Sequence, residues 1–281
     1  MGIEIRLLFE ADLPAALRLS DLANWNQTEA DWRRLIQLEP NGCFCATSNG
    51  AVVATTTTTT YGSDLAWIGM VLVDAEYRRQ GIATRLMERA LAYLNEKNVA
   101  TVKLDATPIG RPVYENLGFT QQSLIERWNG LASTSEKPSL APDSELLRRI
   151  VSMDHREFGA DRSALIRRLI EEAGTHLQST TDVDGRLTGF ALARPGRVAT
   201  YIGPVLAEGT SEASVLLDGL LDQVVGRSVY VDLNTDFKGG SQILSDRGFA
   251  KQRDLIRMSY GKNNSASSSP LIFAIAGPEV G

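Results

Sequence analysis

Arg78-Arg79-Gln80-Gly81-Ile82-Ala83 is the stretch that decides the fold of this sequence. The apolar run from Leu65 to Val73 precedes it and predicts a buried strand, and residues 82–94 carry apolar side chains at helical spacing after it. The first N–H groups of a helix have no partner within the helix, and the helix dipole adds positive potential there. Because Gly81 has no Cβ, an anion such as a diphosphate can approach this backbone closely.

The loop motif alone is weak, because it specifies only three positions in six. An ordinary helix N-terminus with solvated arginines is the alternative interpretation. The strand before the loop and the helix after it favour a ligand-binding loop. The loop is not a Walker loop, since no Gly-Lys-Ser/Thr follows, and Gly-x-Gly-x-x-Gly of a dinucleotide-binding fold is absent.

A second motif lies downstream of the loop. Val99 to Ala106 predicts another strand, and Tyr114-Glu115-Asn116-Leu117-Gly118-Phe119 comes after it. The order of these features resembles the GNAT N-acetyltransferase superfamily over about residues 3–130. That order is a strand, an Arg/Gln-x-x-Gly-x-Gly/Ala loop, a helix, a strand and Tyr-Glu-x-Leu-Gly-Phe. The resemblance implies an α/β fold with a central mixed sheet flanked by helices. It also implies acetyl-CoA as the acyl donor, without a metal.

The same resemblance implies which residues contact the donor. In relatives of this kind the loop holds the pyrophosphate, and the strand before it splays from its neighbour and pairs with the pantetheine arm. The matching positions are Val71, Leu72, Val73, Arg78, Arg79, Gln80, Gly81, Ile82, Ala83 and Thr84.

The implied reaction is direct attack of an amine on the thioester. A lysine-like amine has a pKa near 10.4, so reaching its free base at pH 7 costs roughly 5 kcal/mol, which a general base lowers. Leu65 to Val73 contains no carboxylate. Asp105 matches a position where relatives resembling the ribosomal-protein alanine acetyltransferases carry one, which makes it the candidate base. The alternative is that Asp105 caps the following turn.

Tyr114 matches the tyrosine that donates to the departing thiolate in this family. Transfer of a proton from a phenol near pKa 10 to a thiolate near 8.5 is uphill by about 2 kcal/mol, so Tyr114 is predicted to act first as a hydrogen-bond donor. The alternative is a tyrosine that packs its helix. A backbone N–H near Val71 is expected to stabilise the oxyanion.

The acceptor is expected to contact Trp25, Asn26 and Gln27, which separate two predicted helices. In the resembling family this segment lines the acceptor site. Trp25 has an alternative interpretation as a core aromatic residue beneath the loop. The predicted acceptor is the primary amine of a small molecule.

The sequence also repeats itself. Tyr201-Ile202-Gly203 echoes Trp67-Ile68-Gly69, and Gly248-Phe249 echoes Gly118-Phe119. The predicted domains are a catalytic domain over residues 1–130, a linker over 131–142, and a degenerate GNAT-like domain over 143–281 that shapes the acceptor site. The second copy has Glu208-Gly209-Thr210-Ser211-Glu212-Ala213 in place of the arginine loop and lacks the tyrosine before Gly-Phe. It is therefore expected not to bind acetyl-CoA, an arrangement that resembles a bacterial tandem-GNAT subgroup.

Composition excludes some classes of function. The 281 residues are 43% hydrophobic and 22% charged with a formal net charge of −5, which is ordinary globular composition and does not favour nucleic-acid binding. No run approaches the ~20 apolar residues of a membrane span, and the N-terminus does not resemble a signal peptide, so a cytoplasmic location is expected. Cys43 and Cys45 predict two buried thiols. The sequence leaves open a homodimer, an acyl-CoA-sensing module without catalysis, and a protein or peptide acetyltransferase.

Overall fold

The computed structural model describes residues 2–132, 142–172, 175–224, 226–261 and 269–281, which form two compact units. Unit 1 contains the described residues up to 122 together with 257–261 and 279–281. Unit 2 contains the described residues from 123 to 256 and from 269 to 278. Most of the predicted linker, residues 133–141, lies outside the described residues.

Unit 1 alternates strands with helices in the order predicted from the sequence. Its elements are β1 (Ile3–Leu7), α1 (Leu13–Leu22), α2 (Glu29–Leu38), β2 (Phe44–Ser48), β3 (Ala51–Tyr61), β4 (Leu65–Val73), α3 (Ile82–Glu96), β5 (Thr101–Ala106) and α4 (Arg111–Asn116).

Unit 2 repeats this alternation. The elements that come after α4 are β6 (Thr120–Leu131), α5 (Ser144–Phe158), α6 (Ser163–Glu171), β7 (His176–Thr181), β8 (Leu187–Arg194), β9 (Thr200–Ala207), α7 (Thr210–Leu221), β10 (Ser228–Asn234), α8 (Gly240–Ser245), β11 (Ala250–Gly261) and β12 (Ile272–Ala274). The first residues of β6 and the last residues of β11 belong to unit 1. These elements confirm the α/β class with mixed sheets and flanking helices.

The two units are not consecutive in sequence, and this differs from the predicted boundaries at residues 130 and 143. Residues 257–261 and 279–281 belong to unit 1 although they lie far along the chain. The physical reason is packing: the end of β11 lies beside β5, and residues 279–281 contact β3 and β4. A boundary drawn from position in the sequence alone cannot detect such contacts.

Local sequence signals explain where several elements of unit 1 begin. Thr28 caps α2, and its hydroxyl and the Asp31 carboxylate form the reciprocal bonds of a capping box. Helix α3 buries Leu86, Met87 and Leu94 on one face, as its apolar spacing predicts. The threonines of β3 form a strand that is mostly buried, which agrees with the preference of β-branched residues for sheets.

The sheet of unit 1 has the order β1-β2-β3-β4-β5 followed by the end of β11. The first three pairings are antiparallel and β4–β5 is parallel, so the sheet is mixed. The β4–β5 ladder covers only Leu65 to Trp67 on β4, although β4 continues to Val73. The two strands therefore separate after Trp67, as the resemblance implied.

A β-bulge lies in β4 just beyond this point. Thr55 pairs with Leu72 and Thr57 with Gly69, so Thr56 on β3 faces both Met70 and Val71 on β4. Met70 has a φ of 51°, a left-handed conformation that is uncommon for a residue with a side chain. The Thr55 hydroxyl donates to the Met70 carbonyl at 2.9 Å and supports the bulge. The bulge redirects the backbone of β4 where β4 and β5 separate.

Unit 2 has a parallel strand pair that corresponds to β4–β5, but the chain is arranged differently where the two strands separate. Strands β9 and β10 pair over Thr200 to Ile202 on β9, and β12 then lies between them. Within β12, Ala274 pairs with Leu233 on β10 and with Val205 on β9. A strand of the chain itself therefore fills the gap between β9 and β10.

Candidate active site

The predicted ligand loop joins β4 to α3 as expected. Gly81 is the N-cap of α3 with a φ of 75°, a left-handed conformation that favours glycine. No atom of the described residues beyond its chain neighbours lies within 4 Å of the position where a Cβ of Gly81 would stand. The backbone at the start of α3 therefore faces open space, which suits an anion at a helix N-terminus.

The other loop residues cluster around this helix start. Arg78, Arg79 and Gln80 are exposed, and the Arg78 Nε donates to the Val73 carbonyl at 3.1 Å. Ile82 is buried under the helix, whereas Ala83 and Thr84 are half-buried. The structure brings all the predicted loop residues together at the end of β4, and their contact with a diphosphate stays a prediction.

The predicted pantetheine-binding residues lie on the part of β4 that β5 does not pair. Val71 and Val73 are half-buried, and Leu72 is buried. Leu72 and Val73 pair with β3 on one side of the strand. The other edge of this part of β4 faces β5 but does not pair with it, because the β4–β5 ladder ends at Trp67. The backbone of an extended ligand could pair with β4 along this edge.

Tyr114 lies on α4 and packs edge-on against Phe119, with ring centroids 6.2 Å apart. Burial raises the pKa of Tyr114 above its usual value. The phenol therefore stays protonated over the physiological pH range, which suits the hydrogen-bond donor predicted from the sequence. The packing against Phe119 also agrees with the alternative of a helix-packing tyrosine, so the catalytic role stays a prediction.

Asp105 forms a buried ion pair that the sequence did not suggest. Arg257 donates from Nε to Oδ1 and from Nη2 to Oδ2, each at 2.8 Å, and the Asp105 side chain is fully buried. The Arg257 guanidinium also lies 4.6 Å from the centre of the Trp67 ring. Both carboxylate oxygens accept bonds from one guanidinium, so the predicted role as general base would have to compete with this pairing.

Unit 2 contains the same pair at its matching strand. Arg127 donates to Asp232 from Nε at 2.7 Å and from Nη2 at 2.6 Å, with the two side chains buried to the same extent as Arg257 and Asp105. Because unit 2 lacks the arginine loop and the tyrosine, this pair does not depend on those features. The repetition indicates that the Asp–Arg pair contributes to the fold.

The predicted acceptor residues lie between α1 and α2. Asn26 and Gln27 are buried and Trp25 is half-buried. The Gln27 Nε2 donates to Glu279 Oε2 at 2.8 Å. A Cβ added to Gly69 on β4 would lie 2.7 Å from the Glu279 Cα, so the glycine permits this close approach. Sequence reasoning missed Glu279, which gives no local signal.

The position in unit 2 that corresponds to the arginine loop has different chemistry. Gly209, the N-cap of α7, has an extended backbone with a φ of −161°. Glu208 forms an ion pair with Arg186, with Arg186 Nη2 and Glu208 Oε2 2.8 Å apart. The sequence comparison did not anticipate this arginine, which precedes β8 in the chain. A carboxylate still stands where the loop of unit 1 carries arginines.

Three further observations concern thiols, metals and membranes. Cys43 and Cys45 are free and buried, and burial raises the pKa of Cys43 to about 12 and that of Cys45 to about 11. In the part of the chain that the structure describes, no group of three or more His, Cys, Asp or Glu side chains could hold a metal ion. Among the same residues, no helix is long and apolar enough to cross a membrane.

The Asp105–Arg257 pair is expected to stabilise unit 1. Arg257→Met would leave the Asp105 carboxylate buried without its guanidinium, and we expect a loss of about 3–5 kcal/mol in urea unfolding. The double variant Asp105→Leu/Arg257→Met should recover most of this loss, because the carboxylate and the guanidinium are removed together. Arg33→Met, which breaks the exposed pairs with Glu10 and Glu29, is the matched control and should change stability little. A loss for Arg257→Met as small as that of the control would contradict a structural role for the pair.

Comparison with known proteins identifies both halves of the chain. The family described as Acetyltransferase (GNAT) family matches residues 8–119, and the one described as Acetyltransferase (GNAT) domain matches residues 150–274. An uncharacterized N-acetyltransferase of Bacillus subtilis, YitH, is 25% identical over 256 residues, which are 88% of each chain. A holothin acyltransferase of a Pseudoalteromonas species is 25% identical over 264 residues, covering 92% of this chain and 87% of that protein.

A solved structure supports the fold over the full length. A Pyrococcus horikoshii protein assigned as an acetyltransferase superposes with a TM-score of 0.83 at 21% identity, covering 100% of this chain and 96% of that chain. At this identity the likeness shows the fold alone. The two family matches and the acyltransferase relatives show that the chain belongs to the GNAT acetyltransferases, as an acyltransferase with two GNAT domains in tandem.

Proposed function

We propose that unit 1 transfers the acetyl group of acetyl-CoA to a primary amine, and that the acceptor is a small molecule. One observation carries this proposal: β4 separates from β5 after Trp67, bulges at Met70, and leads into a helix N-terminus open at Gly81. An extended arm with amide groups that is joined at one end to a diphosphate matches this course of the backbone. Acetyl-CoA has that form, and the GNAT family uses it as a co-substrate.

Different residues of unit 1 would contact different parts of acetyl-CoA. The loop N–H groups and the Arg78 and Arg79 guanidinium groups would hold the diphosphate. The unpaired edge of β4 from Met70 to Val73 would exchange backbone hydrogen bonds with the pantetheine amides. This arrangement would place the thioester beside the bulge, where a backbone N–H near Val71 can stabilise charge on the carbonyl oxygen.

Tyr114 would then act on the thiolate as a hydrogen-bond donor. Since burial raises its pKa, complete proton transfer becomes less favourable than for an ordinary phenol, and the proposed role is limited to a hydrogen bond. As the C–N bond forms and the C–S bond breaks, the nitrogen would lose a proton to solvent, and the departing thiolate would take one from solvent. The holothin acyltransferase is named for a small-molecule acceptor, and this supports a small-molecule amine for the present chain.

Gly81→Asp should abolish acetyl-CoA binding while the fold is retained. The new carboxylate would project into the open space at the N-terminus of α3 and repel the diphosphate. Isothermal titration calorimetry with acetyl-CoA measures the effect. Gly50→Asp is the matched control, because Gly50 has a φ of 81° with equally open space but lies in the β2–β3 turn. Equal acetyl-CoA affinity in the two variants would remove the loop from the binding site.

Tyr114→Phe should lower kcat for amine acetylation by about tenfold to a hundredfold, because one hydrogen bond to a developing charge is lost. Acetyl-CoA affinity should change little. Thiol release is measured across amino acids, polyamines, aminoglycosides and peptides. Tyr93→Phe removes a hydroxyl that bonds to Glu39 elsewhere in unit 1 and controls for lost stability.

Three outcomes would contradict the proposal in different ways. Acetyl-CoA binding without thiol release on any amine would indicate a sensing module. Turnover of peptides alone would indicate a protein-modifying enzyme. An unchanged kcat for Tyr114→Phe would show that Tyr114 has no role in acetyl transfer, although the transfer itself would still stand.

A further inference from the structure

Gln27 is held in a fixed orientation inside unit 1. It exposes 9% of its surface, and its Nε2 donates to Glu279 Oε2 at 2.8 Å. An ionised carboxylate only accepts hydrogen bonds, so the nitrogen of the amide must face Glu279. The oxygen of the same amide therefore points away from Glu279.

This oxygen is a buried acceptor that needs a donor. Among the residues that the structure describes, none donates a hydrogen bond to Gln27 Oε1, which is buried. Buried polar atoms are nearly always hydrogen-bonded, and leaving one unsatisfied costs about 1–3 kcal/mol. A ligand that supplies an N–H would satisfy it.

The position of the Gln27–Glu279 pair is close to the proposed reaction site. The Glu279 backbone lies against Gly69, where a Cβ would come within 2.7 Å of the Glu279 Cα and 2.8 Å of its carbonyl oxygen. Val71, the proposed oxyanion donor, lies two residues beyond Gly69, which is about 7 Å along a strand. The Tyr61 hydroxyl donates to the Val280 carbonyl at 2.7 Å and anchors the same segment on β3.

We propose that Gln27 and Glu279 form the amine-recognition pair of the acceptor site. This inference rests on the proposed function and specifies its acceptor. Gln27 Oε1 accepts a hydrogen bond from the nucleophilic amine, and Glu279 is a positioning residue that fixes the amide. The negative charge of Glu279 attracts acceptors that arrive as ammonium ions, which release a proton to solvent before the free amine attacks. The substrate class is therefore a cationic primary amine.

The test is steady-state kinetics of the full chain with the panel amine that gives the fastest thiol release. Glu279→Gln removes the charge, and because the new amide both donates and accepts, it no longer fixes the orientation of Gln27. We expect KM for the amine to rise about tenfold or more, and KM for acetyl-CoA to stay within about twofold. Glu279→Asp keeps the charge and should give a smaller rise.

Glu39→Gln is the matched control. Glu39 is another buried carboxylate of unit 1, but it bonds to Thr60, Tyr93 and Lys97 and has no contact with Gln27 in the described structure. The KM of the Glu39→Gln variant for the amine should equal that of the wild type, even if the melting temperature of the variant falls.

The outcomes separate this inference from the proposed function. A wild-type KM for the amine in Glu279→Gln would overturn the inference and leave the proposed function intact. Equal rises in both KM values would overturn it as well, since they indicate general damage to unit 1. If the wild-type chain acetylates no amine of the panel, the proposed function fails and the inference fails with it.

Discussion

The structure depends on one constraint: parallel strands that separate leave backbone N–H and C=O groups that need new partners. Strands β4 and β5 separate after Trp67, and β9 and β10 separate after Ile202. In unit 2 the chain meets this need itself, because β12 lies between β9 and β10. In unit 1 no described strand lies between β4 and β5, so the backbone beyond the bulge suits an extended ligand.

The backbone near the separation is similar in both units. Strand β9 also has a β-bulge, with one residue more than its neighbour β8. Ala191 on β8 pairs with Val205, and Ala193 pairs with Ile202. Gly203 corresponds to Gly69, and a Cβ on it would lie 2.1 Å from the carbonyl oxygen of Ile275. Each unit therefore has a glycine that admits another segment of the chain: Gly69 lies just before its bulge, and Gly203 lies within its bulge. Beyond the bulge the units differ, because unit 2 has β12 there and unit 1 has the exposed loop with Gly81.

Much of unit 1 was predictable because its signals are local. The capping box at Thr28, the apolar spacing of α3 and the turn at Gly81 each act within a few residues, and the structure has each of them. Strand β4 begins and ends at the predicted residues.

The parts that the sequence did not predict depend on distant contacts. Arg257 meets Asp105, and Glu279 meets Gln27, across more than half of the chain. Neither pair has a spacing that a motif could report. The left-handed backbone of Met70 also gives no signal, because the residue is not a glycine and its conformation is imposed by the neighbouring strands. The buried ion pair of Asp105 shows how a long-range contact changes the interpretation of a candidate base.

Hydrogen–deuterium exchange of the full chain, with and without acetyl-CoA, tests the central claim most directly. If the ligand takes the place beside β4 that β12 takes beside β9, acetyl-CoA should slow exchange in peptides covering Met70 to Thr84. Exchange in peptides covering Thr200 to Ala213 should stay unchanged. Protection in the second region, or none in the first while acetyl-CoA is bound, would contradict the account.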